Sequence, residues 1–382
     1  MKKVVFAGAV AALSGTSASV YAQSSVTLYG LLDAGVGYVR THSGSEYALV
    51  SGNIAGDRWG LKGQEDLGGG LTVVFQIENG FNIANGKLGQ GGRMFGRQSM
   101  VGLADNRLGT VKVGRGYDPV VDLVQGLTAD VYGSAFATPG DVDNNDNSAR
   151  VSNQVKYISP SYAGLQFEAM YAFSGVAGQA GQGNTYAGAV SYTNGPFDVA
   201  AGYFQATNSG SAGAIRSGWT SPTADSTFDG DSINAGYASA HTLQIAQVAG
   251  RYRVGAATLG TSYGYVQYRN DASSVFHENE RFNSGKAYAA WQFTPAFRMA
   301  AGYIYTAADG DTDAHYHQAS LGAYYDLSVR TELYAIAAYE RAAGTQRTVN
   351  GGTQQAVAAI GSYGIDGGPS QTMALLGIHH RF

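Results

Sequence analysis

Apolar and polar residues alternate along most of this chain with a period of two. Over residues 26–38, Val26, Leu28, Leu32, Ala34, Val36 and Tyr38 share one parity, while Thr27, Tyr29 and Asp33 hold the other. Leu71, Val73, Phe75 and Ile77 alternate with Thr72, Gln76 and Glu78, and Leu165, Phe167, Ala169 and Tyr171 with Gln166, Glu168 and Met170. The same holds for Ala287, Ala289, Trp291 and Phe293 against Lys286, Tyr288 and Gln292, and for Leu333, Ala335, Ala337 and Tyr339 against Glu332, Tyr334 and Glu340. Side chains of a strand point alternately to its two faces, so this period predicts strands with one greasy and one wet or mixed face. A soluble sandwich would show the same alternation.

The connections separate the two architectures. Short turns are expected at 66–70, 105–109, 159–164, 194–196, 254–256, 294–296 and 327–330. Long polar stretches rich in Gly, Ser, Asn and Asp lie between them, near 40–56, 82–94, 118–148, 174–184, 208–241, 270–281, 308–314 and 343–370. Strict alternation of short and long connections is the pattern of an up-and-down barrel in an outer membrane, with tight turns on the periplasmic side and long loops outside. About sixteen candidate strands, most of ~9–13 residues, match the ~9–11 needed to cross at a tilt of ~45°. In a bilayer only a closed barrel satisfies a sheet's backbone donors and acceptors. The fold class expected is therefore all-β, a transmembrane antiparallel up-and-down β-barrel. Tyr157, Tyr171, Tyr203, Tyr303, Tyr305, Tyr325 and Tyr339 share the lipid parity near strand ends, where an aromatic girdle belongs; the ordinary β-propensity of tyrosine gives the same placement.

Composition narrows the alternatives. Charged residues are 14% of 382, against roughly 25% in an average globular protein. There are 55 Gly and 26 Tyr but no Cys, which removes disulfide frameworks, thiolate metal sites and thiol nucleophiles. A net charge of −4 argues against a general nucleic-acid partner. Residues 1–22 read as a secretory signal: Lys2 and Lys3, an apolar stretch over 4–13, then small residues leading to Ala22 with Val20 two places before it. Its removal leaves residues 23–382 as the barrel, with 22 cations against 28 acids and a net charge of −6.

Ala374, Leu376, Ile378, His380 and Phe382 share one face at the end of the chain. They resemble the C-terminal signal by which barrel-insertion machinery recognises outer-membrane proteins, with His380 in place of the commoner aromatic. The stretch 24–33, SSVTLYGLLD, resembles the opening strand of Gram-negative general porins of the trimeric, sixteen-stranded kind. RWGLKG at 58–63 with EDLG at 65–68 resembles their second strand and first turn; RQSMVGL at 97–103 and GTVKVGR at 109–115 resemble the fourth and fifth strands. The resemblance implies a homotrimer in outer-membrane lipid and lipopolysaccharide, forming a water-filled channel for ions and small hydrophilic solutes. Small residues at lipid parity, Gly30 and Ala34, would let neighbouring barrels approach. A third loop folding into the pore is also implied. Here it runs from about Tyr117 to Ser148 and carries Asp118, Asp122, Asp130, Asp141, Asp143 and Asp146 with no Lys or Arg. It lacks the Pro-Glu-Phe-Gly run of some relatives, so which carboxylates reach the constriction stays open.

Basic residues sit at lumen parity. Arg58 and Lys62 oppose Trp59 and Leu61, and Arg150 and Lys156 oppose Val151 and Val155; the resemblance places Arg97 in the wall as well. An arginine facing lipid would cost roughly 2–4 kcal/mol near the midplane. The candidate constriction is thus a basic wall of Arg58, Lys62, Arg97 and Arg150 facing an acidic set of Glu78, Asp118, Asp122 and Asp130, with a weak anion preference expected. Two roles are open for the cations: a transverse field that selects ions, or ion pairs that pin the loop.

Other chemistry is thin. Asp309, Asp311 and Asp313 imitate the start of a calcium loop, but Ala314 and Ser320 stand where glycine and glutamate are needed. His315 and His317 share a strand face, His379 and His380 do not, and Gly68–Gly70 lacks the Lys-Ser/Thr of a phosphate loop. No cofactor, metal or catalytic residue is expected. The alternatives to a general diffusion channel are a substrate-specific channel, a barrel enzyme with a Ser/His or Asp/His rim site, or an adhesin using loops 208–241 and 343–370.

Overall fold

The computed structural model describes residues 24–146, 149–177, 181–210, 214–216, 218–219, 232–363, 365 and 367–382; the expected signal segment lies outside them. The strands are β1 (Ser25–Thr41), β2 (Gly44–Ser51), β3 (Arg58–Gly68), β4 (Leu71–Gly80), β5 (Gln98–Asp105), β6 (Gly109–Gly116), β7 (Val151–Ile158), β8 (Leu165–Ala172) and β9 (Thr185–Asn194). They continue as β10 (Phe197–Thr207), β11 (Thr242–Val254), β12 (Ala257–Arg269), β13 (Glu280–Thr294), β14 (Phe297–Asp309), β15 (Asp313–Ser328), β16 (Thr331–Arg347), β17 (Thr353–Gln355) and β18 (Ser370–Arg381). Each pairs antiparallel with its neighbour, and β1 meets β18 from Leu31↔Arg381 to Arg40↔Thr372, closing the barrel. Strands β2 and β3 both pair with β1 and form one interrupted wall position, while β17 only extends the loop end of β16. The wall therefore has sixteen positions. At ~4.8 Å spacing and a tilt of ~40°, sixteen strands enclose a cylinder about 30 Å across.

All seven tight turns fall where the pattern puts them. The first carries three consecutive glycines with positive φ, Gly68 at 85°, Gly69 at 65° and Gly70 at 90°, a path that side chains with a Cβ rarely follow. Two of the expected long loops are short. Residues 40–56 contain strand β2 and a two-residue turn between Thr41 and Gly44, and 308–314 reduces to a three-residue turn between β14 and β15. Here the hairpins run past the bilayer, where both faces are wet. Hydrophobic alternation fades while the backbone ladder continues.

Lipid-parity side chains, among them Leu28, Val36, Tyr171, Tyr203, Trp291, Tyr339 and Leu376, point outward and are exposed on the single chain. The lumen is not uniformly polar. Loop 117–150 enters the barrel and buries Val120, Val124, Ala135 and Phe136 against the inner faces of β9–β16. Ile233 and Tyr237, and Ala356 to Ile360, also pack inward from the loop end, against residues such as Tyr268, Phe282 and Tyr316. Part of the lumen is thus filled by a packed core, and two cavities lie along the wall that runs through β1 and β3–β6.

Candidate functional site

Loop 117–150 begins at Tyr117, and two guanidinium groups converge there. Arg97 Nη2 donates to the Tyr117 hydroxyl at 2.5 Å and Arg150 Nη2 at 3.3 Å. The Arg150 guanidinium lies 5.0 Å from the Tyr117 ring centre and that of Arg97 6.0 Å. Arg97 Nε also donates to Glu78 Oε1 at 2.7 Å, and Tyr29 donates to Glu78 Oε2 at 2.9 Å. Arg58 is held differently, donating from Nε to the Gly56 carbonyl at 2.8 Å. Gly56 packs closely beneath this cluster: a Cβ there would stand 3.0 Å from Arg97 Nη1.

A cavity of about 490 Å³ opens beside this cluster. Arg58, Arg97 and Arg150 border one side; Gln125, Asp130, Ser134 and Asp146 of the loop face them; residues 52–56 form a third side. Lys62 lies two lumen positions from Arg58 toward the tight-turn end. It borders a separate cavity of about 420 Å³ with Gln76 and Lys112, its Nζ 5.3 Å from the Tyr29 ring centre.

The acidic candidates separate. Glu78 stands on β4 among the arginines, not on the loop. Asp118 caps the short helix α1 (Pro119–Leu123), accepting from the amides of Val120 and Val121 at 2.8 and 3.3 Å; burial pushes its carboxyl up to about 6. Asp122 pairs with Lys156. Asp130 and Asp143 share Lys286 Nζ at 2.9 and 3.1 Å. Asp146 borders the cavity and accepts from Ser134 Oγ at 2.9 Å and from Ser362 Oγ, with burial lifting its carboxyl to about 6. Lys156 and Lys286 thus tie the loop to the wall by ion pairs, whereas Arg97 pairs within the wall.

Sequence reasoning left out Tyr117, Arg115 and Lys286 as site-building residues. Arg115 donates to the carbonyls of Gly96 at 2.7 Å and Arg150 at 3.2 Å and to Ser152 Oγ at 2.8 Å, which fixes the backbone beside both neighbouring arginines. The Gly-Arg-Gly-Tyr run at 114–117 was the available signal. The aspartates of the calcium-like stretch are engaged elsewhere: Asp309 with Arg281 and Asp311 with Arg347. His317 bonds the Tyr303 hydroxyl and His380 the Thr331 hydroxyl.

A family model described as Gram-negative porin matches residues 9–345. This chain belongs to the Gram-negative porin family. The porin is 31% identical over 381 residues to an outer membrane porin protein of Bordetella pertussis, covering 89% of this chain and 94% of that one. It is 29% identical to outer membrane porin protein 32 of Delftia acidovorans, with both chains covered in full. Among solved structures it is similar to an anion-selective porin from Comamonas acidovorans, with a TM-score of 0.71, 26% identity, and 94% of this chain and 100% of that one covered. The porin resides in the outer membrane and forms a water-filled channel through which ions and small hydrophilic solutes diffuse passively.

Its C-terminus completes the wall. Phe382 and Gly30 exchange two backbone hydrogen bonds of 3.1 Å, and a Cβ on Gly30 would lie 2.1 Å from the Phe382 ring. Gly30 is therefore covered by the chain's own last residue. It offers no bare surface to a neighbouring barrel, which removes half of the small-residue argument for close approach.

Proposed function

We propose that this porin is a general diffusion channel with a weak anion preference, set where Arg58, Arg97 and Arg150 border the cavity beside loop 117–150. The three guanidinium groups bordering one cavity, two of them converging on Tyr117 and Arg97 paired with Glu78, carry the reading. The loop acids support it, because Asp118, Asp122 and Asp143 do not border the cavity and are engaged by backbone amides or lysines, and Asp130, which does border it, is paired with Lys286. The similar porin from Comamonas acidovorans is described as anion-selective. A unit charge about 8 Å from the ion path, at an effective dielectric of about 40, changes local ion occupancy by roughly 1 kcal/mol, or about fivefold. Arg58→Ala with Arg97→Ala should move the zero-current potential in a KCl gradient toward cations, more strongly at low salt. An unchanged potential at both salts would refute the reading.

The same proposal includes a homotrimer in contact with lipopolysaccharide, export by residues 1–22, insertion guided by Phe382, and action as a conduit without catalysis. Unboiled samples should migrate far above the monomer on detergent gels. Light scattering that finds folded monomer alone would exclude the trimer.

A further inference from the structure

The second wall position is broken where it crosses the lumen. Strand β1 pairs with β2 as far as Ala34↔Ser51 and with β3 from Leu31↔Arg58. Residues 32 and 33 of β1 therefore face six residues, 52–57, on the interrupted strand. The surplus chain does not rise outward as a loop. It folds into the barrel, and Gly52, Ile54, Ala55 and Gly56 border the same cavity as the arginines.

One buried side chain holds this segment. Asp33 is fully buried on the lumen side of β1. Its Oδ2 accepts from the amides of Ile54 at 2.6 Å and Ala55 at 3.0 Å, and its Oδ1 accepts from the Tyr334 hydroxyl at 2.7 Å. Tyr334, on β16, also accepts from Asn53 Nδ2 at 2.7 Å. It lies flat across the closure seam, where a Cβ on Gly377 would come within 2.2 Å of its hydroxyl. The backbone of Asp33 contributes too, accepting from Gly52 N at 2.8 Å and donating to Asp57 Oδ1 at 2.5 Å.

The segment in turn touches both faces of the constriction. The Gly56 carbonyl receives Arg58 Nε, and the Asn53 carbonyl accepts from Ser134 N of the inserted loop at 2.8 Å. A buried carboxylate is costly unless several donors satisfy it. Asp33 is satisfied by two amides and a hydroxyl, and among the described residues it has no cationic partner.

We propose that residues 52–57 form a third lip of the constriction, and that Asp33 and Tyr334 are positioning residues that fix the lip, the Arg58 head and the docked loop relative to one another. This rests on the reading of the cavity as the narrowest point. Removing the Tyr334 hydroxyl breaks the bridge between Asp33 and Asn53 while leaving the ring packed on its glycines. An amide at position 33 would turn a donor toward two amides or a hydroxyl that need an acceptor.

The chain has no cysteine, so one introduced thiol reports on the lip alone. Ala55→Cys, reacted to completion with an anionic methanethiosulfonate reagent and verified by mass, should lose at least half of its single-channel conductance. In the same background Tyr334→Phe and Asp33→Asn should relieve that block at least twofold and broaden the distribution of open-channel currents. Their heat-modifiable gel mobility should stay that of a folded barrel. Complete modification with unchanged conductance would overturn the lip. Block of parental depth in folded Tyr334→Phe would overturn the positioning roles; should Asp33→Asn fail to fold, Tyr334→Phe decides alone. If Arg58→Ala shifts the zero-current potential while Ala55→Cys never blocks, the lip fails and the constriction stands. If neither responds, the constriction itself is misplaced.

Discussion

Lys286 offers the sharpest test of how the inserted loop is held. It projects into the lumen from β13, only 1% of its side chain is exposed, and it meets Asp130 and Asp143 at 2.9 and 3.1 Å. Thr128 and Thr138 each add a hydroxyl to one of these carboxylates at 2.7 Å. Lys286→Met keeps most of the volume and deletes the charge, leaving two buried carboxylates without a cation. Breaking a buried pair from one side costs about 3–5 kcal/mol, or roughly 150- to 5,000-fold in the docked-to-displaced ratio. Against this stand the other ties of the loop, such as Gln318 Nε2 to the Ala135 carbonyl at 2.9 Å, Tyr324 to the Tyr132 carbonyl at 2.5 Å and Tyr288 to the Leu127 carbonyl at 3.0 Å. Each is worth about 0.5–1.5 kcal/mol net, so together they are comparable to the loss.

At neutral pH the variant should therefore exchange between docked and displaced loops. Planar-bilayer recordings should show higher mean conductance and excess open-channel noise. The pH dependence has a definite sign. Burial holds the Asp130 carboxyl above its ordinary range even with Lys286 present, and deleting the ammonium removes an opposing influence. Docking then favours the protonated acid, so it gains stability as pH falls, and the variant should approach parental conductance over a range of pH descending from neutral. Adding Asp130→Asn and Asp143→Asn should restore quiet channels at every pH. A Lys286→Met channel with parental conductance and noise across that range would refute the pinning role.

Three further outcomes follow from placement. Phe382→Asp and Gly30→Leu should both reduce the folded, heat-modifiable barrel in outer-membrane fractions, because each disturbs the ring seated on Gly30; normal amounts of either would refute a role for that contact. Lys62→Gln should shift the zero-current potential by less than half of the Arg58→Ala effect, since four residues along a strand are ~13 Å and the Debye length is ~8 Å at physiological salt; equal shifts would place the narrowest point lower. Acidification through about pH 6 protonates Asp146 and removes a negative charge bordering the cavity, so selectivity should move toward anions, and folding gains rather than loses from this group as pH falls. The Asp146→Asn channel should lack that shift.

The sequence by itself determined the wall. Alternation is imposed by lipid on one side of every strand, a solvent effect acting residue by residue, and the tight turns need local Gly, Asp and Pro chemistry. Both are therefore visible in Leu71 to Ile77, in Leu333 to Tyr339 and at Gly68 to Gly70. The inward parity of Arg58 follows from the same rule, but that of Arg150 does not: Val151, expected to face lipid opposite it, is buried in the inner core, because the strand changes register beside Asn153, whose φ is 55°. Position 40–56 misled because lipid stops constraining a hairpin that has left the membrane, so Glu46 and Tyr47 read as loop while their backbone stays in the ladder. What only the tertiary structure decided is the interior. Phe282, Tyr316 and Ile336 face packed protein rather than water, so the wet side of β13–β16 carries no consistent polarity. Which carboxylate meets Lys286, which borders the cavity, and why Asp33 is buried all depend on contacts spanning 12 to 301 residues, such as Ser134 with Asp146 and Tyr334 with Asp33. Those pairings are fixed by barrel closure and loop insertion, which bring distant segments together without leaving a local pattern in the chain.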